Sequence, residues 1–196
     1  MQEQSGSSQQ RASKKPQVIA YTDGASKGNP GPGGCGSVLL YPQAEGQIFS
    51  KCIQEAYEHT TNNRMELLAV IRALEALKVP AHLTVYTDSL FIVDAHNKGW
   101  IASWTEHNWR NAQKKPVKNR DLWERIVELE QLHDVHFIWV KGHNGNRYNE
   151  IADHLASSAA NYVIARLHAS ADPHAASEEA GCPELLIKKD VGFKEE

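Results

Sequence analysis

Short apolar runs come first along this chain, and helically spaced ones follow. Val18-Ile19-Ala20-Tyr21-Thr22 is a strand-like run ending in Asp23, and similar runs predict strands over about 17–23, 34–41 and 47–57. From about 63 the period changes. Ala69, Val70 and Ala73 mark the apolar stripe of a helix over 63–78, then a strand is expected at 82–88 and a helix at 89–97. A tryptophan-rich helical segment (99–112), a helix (119–132), a strand (134–140) and a long helix (147–167) complete the pattern. Three strands followed by strand and helix alternation imply an α/β (mixed α+β) domain, a mixed sheet covered by helices. The stretch Gly24–Gly34, rich in glycine and proline, reads as turns between the first two strands.

Composition narrows the class. A chain of 196 residues with 41% hydrophobic content builds one core and leaves room for tails. Residues 1–16, rich in Gln, Ser and Lys, are expected to be a disordered extension, 17–167 the domain, and 168–196 a mostly disordered tail in which only Leu185-Leu186-Ile187 has the character to dock. No segment reads as a signal peptide or a membrane span, so a cytoplasmic protein without membrane contact is expected, and a monomer. Cys35, Cys52 and Cys182 include no CxxC pair, which favours reduced thiols, with a Cys35–Cys52 bridge left open.

Four acids stand at element boundaries. Asp23 closes the first strand, Asp88 closes the strand after the first helix, and Glu66 and Asp153 lie early in helical patterns. Each has an ordinary role available: a turn former for Asp23, a helix cap for Asp88, a capping box for Glu66 with Asn63, a dipole partner for Asp153. Their conjunction favours something else. Clustered carboxylates repel one another unless cations bridge them, and hard oxygen donors suit Mg²⁺ or Mn²⁺.

The wording around these acids resembles bacterial type 1 ribonuclease H. It runs Tyr-Thr-Asp-Gly-Ala-Ser-Lys-Gly-Asn-Pro-Gly-Pro-Gly-Gly from Tyr21, Thr-Thr-Asn-Asn-Arg-Met-Glu-Leu from Thr60 and Tyr-Thr-Asp-Ser from Tyr86. Lys-Lys-Pro-Val-Lys-Asn from Lys114, Trp-Val-Lys-Gly-His from Trp139 and Asn-Glu-Ile-Ala-Asp from Asn149 continue it in order, over about residues 17–165. The resemblance implies a five-stranded sheet with its first three strands antiparallel and helices on both faces. It implies an endonuclease that hydrolyses the RNA strand of RNA/DNA hybrids with two metal ions, leaving 3′-hydroxyl and 5′-phosphate ends. Asp23, Glu66, Asp88 and Asp153 match the family's metal-binding catalytic acids, His143 its catalytic histidine, and Glu150 an accessory acid linked to product release.

Substrate contacts are implied in the same way. Ser26, Asn29, Asn62 and Asn63 match positions that touch the hybrid, where short polar groups read the RNA 2′-hydroxyl. Thr61 and Asn119 match part of a pocket for a DNA-strand phosphate. Residues 98–120 hold Lys98, Arg110, Lys114, Lys115, Lys118 and Arg120 against Glu106 alone, a basic island in a chain of net charge −3. Lys114 and Lys115 are expected to meet phosphates, and Trp100 and Trp104 to support the ridge or pack on the substrate. Leu90 and Asn111 stand where the family has a glutamine and a threonine, which implies weaker hybrid binding. Two other classes compete with this reading: a nucleic-acid binder without activity, and a nuclease or strand-transfer enzyme acting on DNA.

Overall fold

The computed structural model describes residues 15–171 and 187–188. Six strands form one sheet in the order β5-β4-β1-β2-β3-β6. β1 (Gln17–Ser26), β2 (Gly31–Pro42) and β3 (Ile48–Thr60) are an antiparallel meander. β4 (His82–Thr87) lies parallel to β1 and β5 (Asp134–Trp139) parallel to β4. These are the five expected strands. The sixth, β6 (Ile187–Lys188), pairs in parallel with β3 at the far edge and comes from the segment expected to be tail.

Helices cover the sheet on both faces because its side chains alternate. On β1, Val18 and Ala20 point into the larger core with Leu67, Val70 and Leu74 of α1 (Asn62–Glu75), while Ile19 and Tyr21 face Ile151 and Leu155 of α5 (Arg147–Ala171). α2 (Leu90–Asn97), α3 (Trp100–Glu106) and α4 (Arg120–Glu130) extend the larger core through Ile92, Trp104, Trp123 and Ile126. α5 continues to Ala171, past the expected end at 167.

The glycine-rich stretch is the main departure from the expected layout. β1 runs on to Ser26 and β2 begins at Gly31, so most of the segment read as turns is paired strand. A methyl group at Gly24 would overlap the α1 backbone at Met65 and Glu66, and one at Gly34 or Gly36 would overlap α5 at Ala156, Ala159 or Ala152. The glycines are there to let two helices approach the sheet closely, a use in strands as regular as turn formation. The remaining turn closes through Lys27 N–H donating to Pro32 O at 2.7 Å.

Cys35 and Cys52 are free thiols. Cys35 is buried opposite Glu55, whereas Cys52 is exposed opposite Val38, so the two point to different surroundings and form no bridge. Among the described residues, no helix is long and apolar enough to cross a membrane. Cys182, residues 1–14 and the rest of the expected tail lie outside the described residues.

Candidate active site

Parallel pairing brings the first two acids together. Tyr21 and Tyr86 are partners across β1 and β4, so Asp23 and Asp88, each two residues further on, emerge at the same end of neighbouring strands. That is where open α/β sheets place their sites. Glu66 lies in the second turn of α1, whose backbone passes close over Gly24, and Asp153 lies in the second turn of α5. The four acids therefore reach one edge from four elements.

Their electrostatics record the crowding. Burial, reinforced by the charges of Asp88, Asp153 and Glu66, pushes the Asp23 carboxyl up to about 8, against the lowering effect of the Gly24 N–H that donates to its Oδ1 at 2.7 Å. Burial also raises Glu66, and Asp88 adds to this. Two donors oppose that rise: the Ser89 hydroxyl at 2.6 Å from Oε2 and the Asn62 amide at 3.0 Å from Oε1. The capping-box role for Glu66 is thereby excluded. Thr61 occupies the N-cap position, and the Glu66 side chain turns toward Ser89. Ser89, itself the N-cap of α2, is a site residue that its position beside Asp88 alone did not reveal.

The loop between β5 and α5 closes over Asp88. Trp139 Nε1 donates to Asp88 O at 3.1 Å, and Val140 N–H to Thr87 O at 3.0 Å. Gly142 comes so near the Asp88 carboxylate that a Cβ there would overlap Oδ2. His143 follows with φ 49° and a side chain 81% exposed, its Nδ1 3.7 Å from Asp153 Oδ2. The Glu150 carboxylate accepts from Gly145 N–H at 3.0 Å and ties this loop to the first turn of α5.

The expected substrate residues fall in two groups. Ser26, Asn29, Asn62 and Asn63 lie on the Glu66 side, where Asn29 Oδ1 accepts from Asn62 N–H at 3.1 Å and Asn63 is exposed. In the second group, Asn119 adopts φ 58° and places Oδ1 3.5 Å from Arg64, three residues along from Thr61. Arg64 is 2% exposed and binds Asp121 in a two-pronged pair at 3.0 and 2.7 Å, a feature the sequence motif did not signal. Lys114 and Lys115 are exposed on a turn pinned by Asn111, whose Oδ1 accepts from Gln113 and Lys115 N–H, both at 3.0 Å. Trp104 packs inward. It is 7% exposed and packs edge-on to Trp123 at 5.4 Å between ring centroids, because helical spacing turns it into the core. Trp100 is half-buried on the rim, with Lys98 Nζ 5.8 Å from its ring centroid.

The donor set fits a hard divalent cation. A carboxyl pushed up to about 8 by burial and by three neighbouring acids is relieved by positive charge, and the four side chains offer oxygen alone. Among the described residues, no three His, Cys, Asp or Glu side chains stand as a set ready to hold a metal ion by themselves. Mg²⁺ keeps several waters and completes its shell with substrate phosphate.

Known proteins share these features. The RNase H family model matches residues 15–161. The chain is 49% identical over 142 residues to a ribonuclease H of Chlorobium phaeobacteroides (strain BS1), covering 72% of this chain and 94% of that one. It is 47% identical over 153 residues to a ribonuclease H of Francisella tularensis subsp. novicida (strain U112), covering 78% and 97%. Among solved structures, LC9-RNase H1, a type 1 RNase H with the type 2 active-site motif, superposes with a TM-score of 0.69 at 34% identity, covering 76% of this chain and 74% of that one. LC11-RNase H1 in complex with RNA/DNA hybrid shares the fold, with a TM-score of 0.55 at 24% identity and coverage of 75% and 99%. With its sheet order, its four converging acids and these relatives, the chain belongs to the RNase H family.

Proposed function

We propose that the chain hydrolyses the RNA strand of RNA/DNA hybrids endonucleolytically, leaving 3′-hydroxyl and 5′-phosphate ends, with Asp23, Glu66, Asp88 and Asp153 as metal ligands and catalytic residues. As a family member it is a ribonuclease H enzyme. The observation that carries the finer reading is Asp23, a buried carboxyl with three other acids around it beside the end of β4. Two divalent ions, Mg²⁺ or Mn²⁺, would activate the attacking water and stabilise the leaving 3′ oxygen.

The chain's own residues supply the rest. Glu66, oriented by Ser89 and Asn62, has a fixed carboxylate direction. His143, exposed on its turn, is placed to exchange a proton with solvent and to assist product release. Glu150 acts through the loop that carries His143. Ser26, Asn29, Asn62 and Asn63 contact the RNA strand or its DNA partner, while Thr61 and Asn119 hold a phosphate of the DNA strand, and Lys114 and Lys115 add a salt-dependent attraction. Trp100 packs at the rim of that ridge.

The test is cleavage of matched RNA/DNA hybrid, duplex RNA, duplex DNA and single-stranded RNA with Mg²⁺, by the wild type and by Asp88→Asn. Cutting confined to the RNA strand of the hybrid and abolished by the substitution is the expected result. Cleavage of duplex DNA, or full activity in the variant, would overturn it.

A further inference from the structure

The family match ends at residue 161, yet the chain returns to the sheet much later, at Ile187 and Lys188. These two residues lie parallel to β3, with Ala56 opposite Ile187 and Tyr57 opposite Lys188. An edge strand exposes unpaired backbone groups, but two residues of pairing hold little by themselves. A side chain supplies the anchor. The Lys188 ammonium donates to Glu55 Oε1, and Glu55 Oε2 accepts from Tyr57 Oη at 2.7 Å and from Arg72 Nε at 2.8 Å.

The contact continues through ion pairs to α1 and α4. Arg72 on α1 also binds Glu75 at 2.5 Å, and Glu75 receives Arg125 of α4 at 2.9 Å. The Glu55 side chain is 15% exposed, so its pairs are screened less than surface ones. Burial alone would raise the Glu55 carboxyl; the bonds from Lys188, Tyr57 and Arg72 outweigh it and hold it below the usual range. Just past Tyr57, β3 runs out at Thr60 into Thr61, Asn62 and Asn63, and Asn62 bonds both Asn29 and Glu66.

We propose that Lys188 is a positioning residue: it latches the C-terminal segment onto Glu55, braces the end of β3 against α1, and so steadies the Thr60–Asn63 turn that faces substrate. The substrate part of this statement rests on the hybrid reading above; the latch itself does not.

Lys188→Gln, Lys188→Glu and Lys188→Arg in the full chain test it. Backbone amide exchange at Ala56 and Tyr57, measured without metal or substrate, is expected to quicken about tenfold in Lys188→Gln, more in Lys188→Glu, and to stay near wild type in Lys188→Arg. On the hybrid, KM is expected to rise about two- to fivefold in Lys188→Glu with kcat within about twofold of wild type. Unchanged exchange at Ala56 and Tyr57 in Lys188→Glu overturns the latch, and a fall in kcat at constant KM overturns the positioning role. Because exchange needs no turnover, a failed latch in a chain that cleaves hybrid is distinct from an intact latch in a chain that does not.

Discussion

The Ser89 hydroxyl donates to Glu66 Oε2 at 2.6 Å, joining the N-cap of α2 to an acid on α1. A hydrogen bond to an ionised, largely buried carboxylate contributes about 1.5–3 kcal/mol. It favours the charged form that burial and Asp88 disfavour. Ser89→Ala should therefore raise the Glu66 pKa further. The expected result is hybrid cleavage about tenfold slower near neutrality, with the acid limb of the pH–rate profile moved to higher pH. A variant with an unmoved limb would show that the hydroxyl does not tune Glu66.

Metal-free protein should become less stable as pH rises. Burial and the neighbouring acids push the Asp23 carboxyl up to about 8 in the folded chain, against an ordinary value of 3.8 that it regains on unfolding. Between these values the folded state keeps a proton that the unfolded state has released, so stability falls from about pH 4 to pH 8. Asp23→Asn removes this dependence. In EDTA the variant should exceed the wild type by about 2–4 kcal/mol at pH 8 and by little near pH 4, while losing hydrolysis. Urea denaturation at the two pH values measures the difference.

Gly142→Ala separates activity from stability. The added methyl would overlap Asp88 Oδ2, and the loop bearing it is exposed enough to shift without disturbing the core. Displacing the His143 turn and Asp88 should lower kcat about tenfold or more. The melting temperature should stay within about 2 °C of wild type. A large loss of stability would mean that the loop is part of the folding core.

Much of the site was legible because its signals are local. Asp88 directly follows β4, Asp23 lies just past its parallel pairing with β4, and Glu66 and Asp153 lie in the second turns of helices whose starts periodicity locates within a few residues. What was not legible depends on distant partners. Gly24, Gly34 and Gly36 read as turn formers, because glycine in a strand is explained only by the helices lying on it. Trp104 was expected to support the ridge or to pack on the substrate, and one turn of helix does not reveal that its ring meets Trp123. Ser89 needed Glu66, and β6 needed Glu55, each far away along the chain.

Arg64 offers a test of the pocket beside Thr61. The guanidinium is 2% exposed, and Asp121 is its two-pronged partner with 42% of its side chain accessible. Asp121→Ala leaves a buried cation with part of its compensation removed, which should cost about 2–3 kcal/mol in urea denaturation. Because Arg64 reaches Asn119, which with Thr61 is proposed to hold a DNA-strand phosphate, the same variant should bind hybrid more weakly, with its affinity still falling as salt rises.

The near contact between α5 and β2 has a consequence for how this chain can vary. Gly34 and Gly36 leave the helix resting on bare backbone at Ala152, Ala156 and Ala159. Asp153 is therefore aimed by the absence of side chains beneath its helix, at places remote from any reacting atom. A single methyl added under α5 would lift the helix and carry the carboxylate with it. The reach of the fourth acid is thus inherited through vacancies in the sheet, and mutations that silence the protein can arise at positions where nothing chemical resides.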